Sequence, residues 1–301
     1  MVHRPGVVAM SLEYEEFSFL RENAAEAGIE WLEPVISRVS VRVRDRRRIS
    51  ALAWGSGPPE LALIHGGGQN AHTWDTMALA LGIPMIAIDL PGHGHSDWVD
   101  EEMGLGPAEL ATDVAIALAE LAPDARAIVG MSLGGLTSIA LCDVAPSLVR
   151  KLALIDATPG VGERPPSDVV RFLSGPREFD SFEALLAYTV ANIPTRPLSA
   201  TRRGVLHNSY QRPDGIWTWR HQARGPRFGT EERARLWDVL AQFRNPVVLF
   251  RGGRSKMVSD EDVAELQRRL PDASVQEIAN AGHSIQGDQP VELANGLRAF
   301  L

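Results

Sequence analysis

The chain has 301 residues of ordinary globular composition, 45% hydrophobic and 23% charged, with 27 glycines and 20 prolines. A formal charge of -8 argues against nucleic acid or an anionic membrane surface as a partner. Cys142 is the single cysteine, so no intramolecular disulfide can form, and no stretch is apolar enough for a secretory signal or a bilayer span. A soluble cytoplasmic protein is the expectation.

Residues 1–37 read as a helical extension. Phe17, Leu20, Ala24 and Ala27 recur at helical spacing, and Gly28 supplies a stop. A helix packed on the body is the simpler reading, and a lid or dimer contact the other. Val39, Val41 and Val43 then alternate with polar residues, and a charged turn leads to Ile49–Trp54, which predicts a β-hairpin. Arg42, Arg44, Arg46, Arg47 and Arg48 are expected to be solvated on its outer side and turn.

Leu61–Ile64 reads as a buried strand ending in His65-Gly66-Gly67-Gly68. Gly66-x-Gly68-x-x-Ala71, with Asp89 at the end of the next strand, also fits a dinucleotide fingerprint, so a dinucleotide-dependent oxidoreductase is one alternative. Against it, that fingerprint belongs to the first strand of its domain, whereas here a hairpin comes first. A loop whose glycines let N–H groups approach a reacting carbonyl is the better reading. Met85–Ile88 is the next strand, followed by Asp89-Leu90-Pro91-Gly92-His93-Gly94. His93 and His95 have no second ligand pair spaced to complete a metal site, so a turn is expected, with no metal and no cofactor. Pro107 opens a helix with Leu110, Val114, Ala117, Leu118 and Leu121 on its apolar face.

Ala127–Met131 is a short apolar strand, and Gly130-Met131-Ser132-Leu133-Gly134 passes from it into a helix. A serine on such a sharp turn is held in a strained conformation, with the helix N-terminus directed at it. Glycines two residues away on either side relieve the crowding that bulkier neighbours would cause. The strand Leu152–Ile155 then ends at Asp156. Residues 157–240 break the rhythm with prolines and short helical runs such as Phe182–Val190, predicting a helical lid. Trp217, Trp219 and Trp237 belong either to the lid's core or to a substrate wall. Strand Pro246–Phe250, a helix from Ser259 to Leu270, strand Val275–Ile278, the segment Asn280-Ala281-Gly282-His283-Ser284 and a last helix Val291–Leu301 follow. The core is therefore assigned to 38–156 and 241–301.

With these motifs in order, residues 39–301 resemble the α/β-hydrolase superfamily, in its lid-bearing lipase/esterase-like branch. The resemblance implies an α/β-hydrolase fold, with a mostly parallel central sheet flanked by helices and a lid inserted between strands. It implies Ser132 as nucleophile, His283 as general base, and the N–H groups of Leu133 and Gly67 as oxyanion hole, with Gly68 a substitute for the latter. The family's usual acid position, Gly-x-x-Asp, reads Gly252-Gly253-Arg254-Ser255 here, so a serine stands where a carboxylate is expected. Asp156 is the first candidate for a relocated acid and Asp260 the second. Ser259 looks like an N-cap, which would explain Asp260 by the helix dipole alone.

The implied activity is that of a serine hydrolase, carboxylesterase-like, cleaving an ester of a small, largely apolar substrate through an acyl-enzyme. Carbon–carbon bond hydrolysis by the same triad and ligand binding on a degenerate scaffold are the alternatives. A serine at the elbow disfavours dehalogenase and epoxide hydrolase chemistry, which need a carboxylate nucleophile.

Overall fold

The computed structural model of the chain describes residues 14–100, 104–160, 168–193, 196–222 and 229–301. Residues 1–13 of the expected extension, and Pro165, Pro166, Pro194 and Pro226 of the expected lid, lie outside them. The extension contains α1 (Leu20–Glu26), and the predicted hairpin is β1 (Ile36–Arg42) with β2 (Arg48–Trp54). There follow β3 (Leu61–Ile64), α2 (Asp75–Leu81), β4 (Met85–Ile88), α3 (Pro107–Leu121), β5 (Ala127–Met131), α4 (Leu133–Val144) and β6 (Leu152–Ile155). An insertion comes next, with α5 (Asp168–Leu173), β7 (Glu178–Phe179), α6 (Phe182–Asn192), α7 (Leu198–Asn208), β8 (Ser209–Gln211), β9 (Trp217–Trp219) and α8 (Thr230–Gln242). The chain ends with β10 (Val247–Gly252), α9 (Asp260–Arg269), β11 (Ser274–Ile278), α10 (Ile285–Asp288) and α11 (Pro290–Phe300).

Among the described residues the main sheet has eight strands in the order β1-β2-β4-β3-β5-β6-β10-β11. Pairing is antiparallel at β1–β2 and β2–β4 and parallel from β4 onward. The central strands are apolar on both sides because helices cover both faces of the sheet: every residue of β3, β4, β5 and β6 is buried. Leu110, Val114, Leu118, Ile139 and Leu266 fill one layer, while Trp74, Met77, Leu293 and Leu297 fill the other with Leu20 of the extension. Each fully buried leucine or isoleucine contributes about 1.5–3 kcal/mol relative to exposure.

The insertion departs from the purely helical lid that was expected. It carries a second, three-stranded antiparallel sheet in the order β7-β9-β8. Arg212-Pro213-Asp214-Gly215 makes the turn between β8 and β9, with Gly215 at φ +88°, and Tyr210, Trp217 and Trp219 supply the strand-favouring side chains. Phe179, Phe182, Leu185, Val205, Leu206 and Trp219 form its own small core. Trp237, by contrast, packs in the main core with Leu236 and Leu240, and its Nε1 donates to Gly160 O at 3.1 Å.

The arginine cluster is also not simply solvated. Arg44 and Arg47 each reach 2.7 Å from a carboxylate oxygen of Asp113, a buried residue of α3, and so fix the hairpin turn to that helix. The extension packs on the body through Leu20 and Ala24, and it also touches the insertion. Tyr14 Oη lies 2.7 Å from His207 Nδ1, and the nearly buried Arg203 of α7 pairs with Glu22 at 2.6 Å and with Glu26.

Candidate active site

In a parallel sheet all strands end at the same edge, so the loops after β3, β5, β6, β10 and β11 emerge together. The register makes this concrete. Ile64 lies opposite Gly130, Met131 opposite Ile155, Ile155 opposite Phe250, and Gly252 opposite Ile278. Gly66–Gly67, Ser132, Asp156, Ser255 and His283 all follow those positions.

Ser132 adopts φ +50° and ψ -116°, outside the regions a non-glycine residue normally occupies. Its surroundings enforce the turn. A Cβ at Gly134 would strike the carbonyl oxygens of Ile64 and His65, and one at Gly130 would strike Gly134 O and Ser138 Oγ. The elbow therefore needs glycine at both positions for close approach of β3, β5 and α4. Asp156, at the end of β6, is the other positive-φ non-glycine at this edge, with φ +45°. Strain concentrated at two neighbouring strand ends marks a site that the surrounding fold holds in place.

Asp156 is buried, and three groups converge on its carboxylate. His283 Nδ1 lies 2.7 Å from Oδ2, Ser255 Oγ donates to the same oxygen at 2.5 Å, and Gly252 N–H donates to Oδ1 at 3.1 Å. Ser255 Oγ in turn accepts from Met257 N–H at 3.1 Å. The serine at the expected acid position is thus a hydrogen-bond donor to an acid supplied by the neighbouring strand. Because a carboxylate accepts, Nδ1 carries the proton, and Nε2 is left as the acceptor. His283 Nε2 is buried and has no hydrogen-bond partner among the described residues. Asp260, the second candidate, sits in the first turn of α9 with its side chain 88% exposed and pairs with Arg251 at 2.6 Å.

The loop after β3 is built around His65. Leu90 N–H donates to its Nε2 at 2.9 Å, so Nδ1 is the protonated nitrogen and donates to Gly66 O at 2.7 Å. Burial, aided by nearby His93, pushes this imidazole down to about 3, and it stays neutral. Gly66 N–H is taken by Gln69 Oε1 at 3.1 Å. The N–H groups of Gly67 and Leu133 donate to no group among the described residues, and the two residues are neighbours: a Cβ on Gly67 would lie 3.7 Å from the Leu133 side chain. The two residues expected to supply the donors are therefore neighbours, with Leu173 of the insertion packed against Gly67 and Gly68. Asp89, which the dinucleotide alternative needs for a ribose, is already spent. It accepts from Ala71 N–H at 2.7 Å, His95 N–H at 3.0 Å and Arg38 at 2.7 Å.

His72, Asp75 and His207 form the one group of potential metal donors among the described residues. His72 and His207 stack face to face at 3.8 Å with 11° between planes, so their in-plane lone pairs run side by side rather than converging on one ion. Both His72 nitrogens face carboxylates, Asp75 at 2.9 Å and Glu16 at 3.0 Å. Burial alone would lower the His72 pKa, but those two acids outweigh it and lift it to about 9. Glu16, drawn up by burial, is held down near 2 by the hydrogen bonds from His72 and Arg38. The hydrogen bonds and ionisation states make the group an ion-pair clamp.

Sequence reading missed Gln69, Ser284 and Asp288 as members of the site. Gln69 Nε2 donates to Ser284 Oγ at 3.3 Å, and Gly282 N–H donates to Asp288 Oδ2 at 2.8 Å, so both neighbours of His283 are pinned. The only signal in the sequence is adjacency, Gln69 directly after the triple glycine and Ser284 directly after the histidine.

Comparison with known proteins gives the family. The alpha/beta hydrolase family model matches residues 61–295. The esterase Rv0045c of Mycobacterium tuberculosis is 44% identical over 294 residues, covering 95% of this chain and 96% of that protein. Its crystal structure superposes with a TM-score of 0.84 at 43% identity, covering 96% of this chain and 98% of that one. The 2-(acetamidomethylene)succinate hydrolase of Mesorhizobium japonicum is 30% identical over 273 residues, covering 88% of this chain and 93% of that protein.

Proposed function

The chain belongs to the α/β-hydrolase family, and from that premise we propose that it is a serine esterase cleaving carboxylic esters through an acyl-enzyme. The observation that carries the reading is the buried Asp156 accepting from His283 Nδ1 at 2.7 Å, which leaves Nε2 as a base for Ser132. In this mechanism His283 takes the Ser132 proton as Oγ attacks the ester carbonyl. Asp156 holds the imidazole in the required tautomer and stabilises the imidazolium that forms. Negative charge develops on the carbonyl oxygen between the Gly67 and Leu133 N–H groups, at the N-terminus of α4. His283 then protonates the departing alcohol, and water repeats the sequence on the acyl-enzyme.

Leu173 above Gly67 and Gly68 presents an apolar surface next to the reacting carbonyl, which supports an apolar group on the ester. Among the described residues no helix is long and apolar enough to cross a membrane. Cys142 is free and buried, and burial pushes its thiol up to about 12, so it is inert; the presence of a single cysteine in the sequence is what supports a reducing, cytoplasmic setting.

The test is hydrolysis of a series of p-nitrophenyl esters of increasing acyl length by the wild type, Ser132→Ala and His283→Ala. Turnover by the wild type, falling by at least about 10³-fold in both variants, is expected. Variants as active as the wild type would overturn the assignment.

A further inference from the structure

Between the loop that bears Gly67 and the loop that bears His283, Gln69 makes a direct side-chain bridge that also holds a backbone donor. Its Oε1 accepts from Gly66 N–H at 3.1 Å, and its Nε2 donates to Ser284 Oγ at 3.3 Å. Gln286 reinforces it from the far side, its Nε2 lying 3.4 Å from Gln69 Oε1 and 3.0 Å from Thr73 Oγ1. One amide therefore grips the peptide unit just before the Gly67 N–H and the residue just after the base. Asn70, the next residue, works in another direction, donating from its side chain to His207 O and Asn208 Oδ1 in the insertion. The two side chains sort the loop into an end tied to the base and an end tied to the insertion.

We propose that Gln69 is a positioning residue that couples the oxyanion donor Gly67 to the base His283, so that the two ends of the reaction are set by one side chain. This inference rests on the serine-esterase reading. The physical reason is that nucleophilic attack needs the proton acceptor and the oxyanion donors in place at the same moment. They reside on loops far apart in sequence, and helix packing alone sets neither loop to the tolerance that attack requires. Capture of Gly66 N–H by Gln69 also removes a competing donor, leaving the next N–H as the one presented to the carbonyl oxygen. Gln69 itself is assigned no contact with substrate.

Its loss should lower kcat and leave KM within about twofold, because the misplacement weakens only transition-state interactions. Gln69→Met keeps the side chain's volume and removes both hydrogen bonds. A loss of about 10- to 100-fold in kcat on a p-nitrophenyl ester, with an equal slowing of Ser132 labelling by a fluorophosphonate, is expected. Gln69→Glu retains an acceptor for Gly66 N–H but loses the Nε2 donor to Ser284 Oγ and sets a negative charge beside the oxyanion site, so it should not restore the loss. Ser284→Ala removes only the far end of the bridge, should cost about 3- to 10-fold, and should be non-additive with Gln69→Met. It serves as the decisive variant if Gln69→Met does not fold. A folded Gln69→Met enzyme with wild-type kcat and labelling, or a fully additive double variant, would overturn the inference while leaving the esterase reading intact. Wild-type protein that neither labels at Ser132 nor turns over the ester would overturn both.

Discussion

Ser255 and His283 both hydrogen-bond the same oxygen of Asp156, at 2.5 Å and 2.7 Å. In the proposed triad, the residue at the family's usual acid position is thereby a donor that helps to hold Asp156. Adjacent parallel strands present their ends side by side, so a carboxylate at the end of β6 meets the same imidazole as one at the end of β10 would.

Asp156→Asn should lower kcat by about 10⁴-fold, since an amide at that point favours the wrong imidazole tautomer. Asp260→Asn, exposed and paired with Arg251, should stay within about twofold. Ser255→Ala should fall between them, at about 3- to 10-fold, because it removes one of the hydrogen bonds that orient Asp156. Steady-state kinetics of the three variants on one ester checks the order. Equal effects of Asp156→Asn and Asp260→Asn would contradict it.

Gly134→Ala places a methyl group against backbone carbonyl oxygens of Ile64 and His65, which cannot move aside as a flexible side chain would. We expect a stability loss of about 3 kcal/mol or more, read by chemical denaturation, and a larger fractional loss of activity as Ser132 is displaced. Gly204→Ala, on α7 with open space around the new methyl, is the control and should be neutral or slightly stabilising.

The Glu16–His72–Asp75 clamp makes stability pH-dependent in a definite direction. The His72 pKa is raised from 6.5 to about 9 on folding, so its contribution is complete below 6.5 and is lost as the pH rises through about 9. Glu16 is depressed from 4.5 to about 2, so its contribution is present above 4.5 and lost as the pH falls through about 2. The clamp is strongest between those ranges, at mildly acidic pH. Thermal or urea unfolding should show the wild type more stable than His72→Gln by on the order of 2 kcal/mol near pH 6, with the gap closing by about pH 9.5. A gap that is constant with pH would contradict this assignment.

The alternation of strands and helices was legible because the buried strands are short apolar runs bounded by polar or charged residues or proline, with turn-forming residues close by. Leu61–Ile64, Met85–Ile88 and Leu152–Ile155 are strands at the residues expected. Ser132, Asp156 and His283 could be singled out because each is the polar residue at or just beyond a strand end, and the fold sets Asp156 against His283. What escaped was long-range in origin. No local pattern says that Arg44 and Arg47 meet Asp113, or that Gln69 meets Ser284 across 215 residues. The small sheet of the insertion was missed for a local reason. The prolines were read as helix breaks, and the Pro213-Asp214-Gly215 turn between aromatic strands was given no weight.

The central claim, that Ser132 is an activated nucleophile, is tested most directly by treating the folded protein with a small fluorophosphonate and locating the adduct by peptide mass spectrometry. The account predicts rapid, stoichiometric labelling on Ser132, abolished in Ser132→Ala and slowed at least about 10²-fold in His283→Ala. An unlabelled wild-type protein, or an adduct on any other residue, would contradict it.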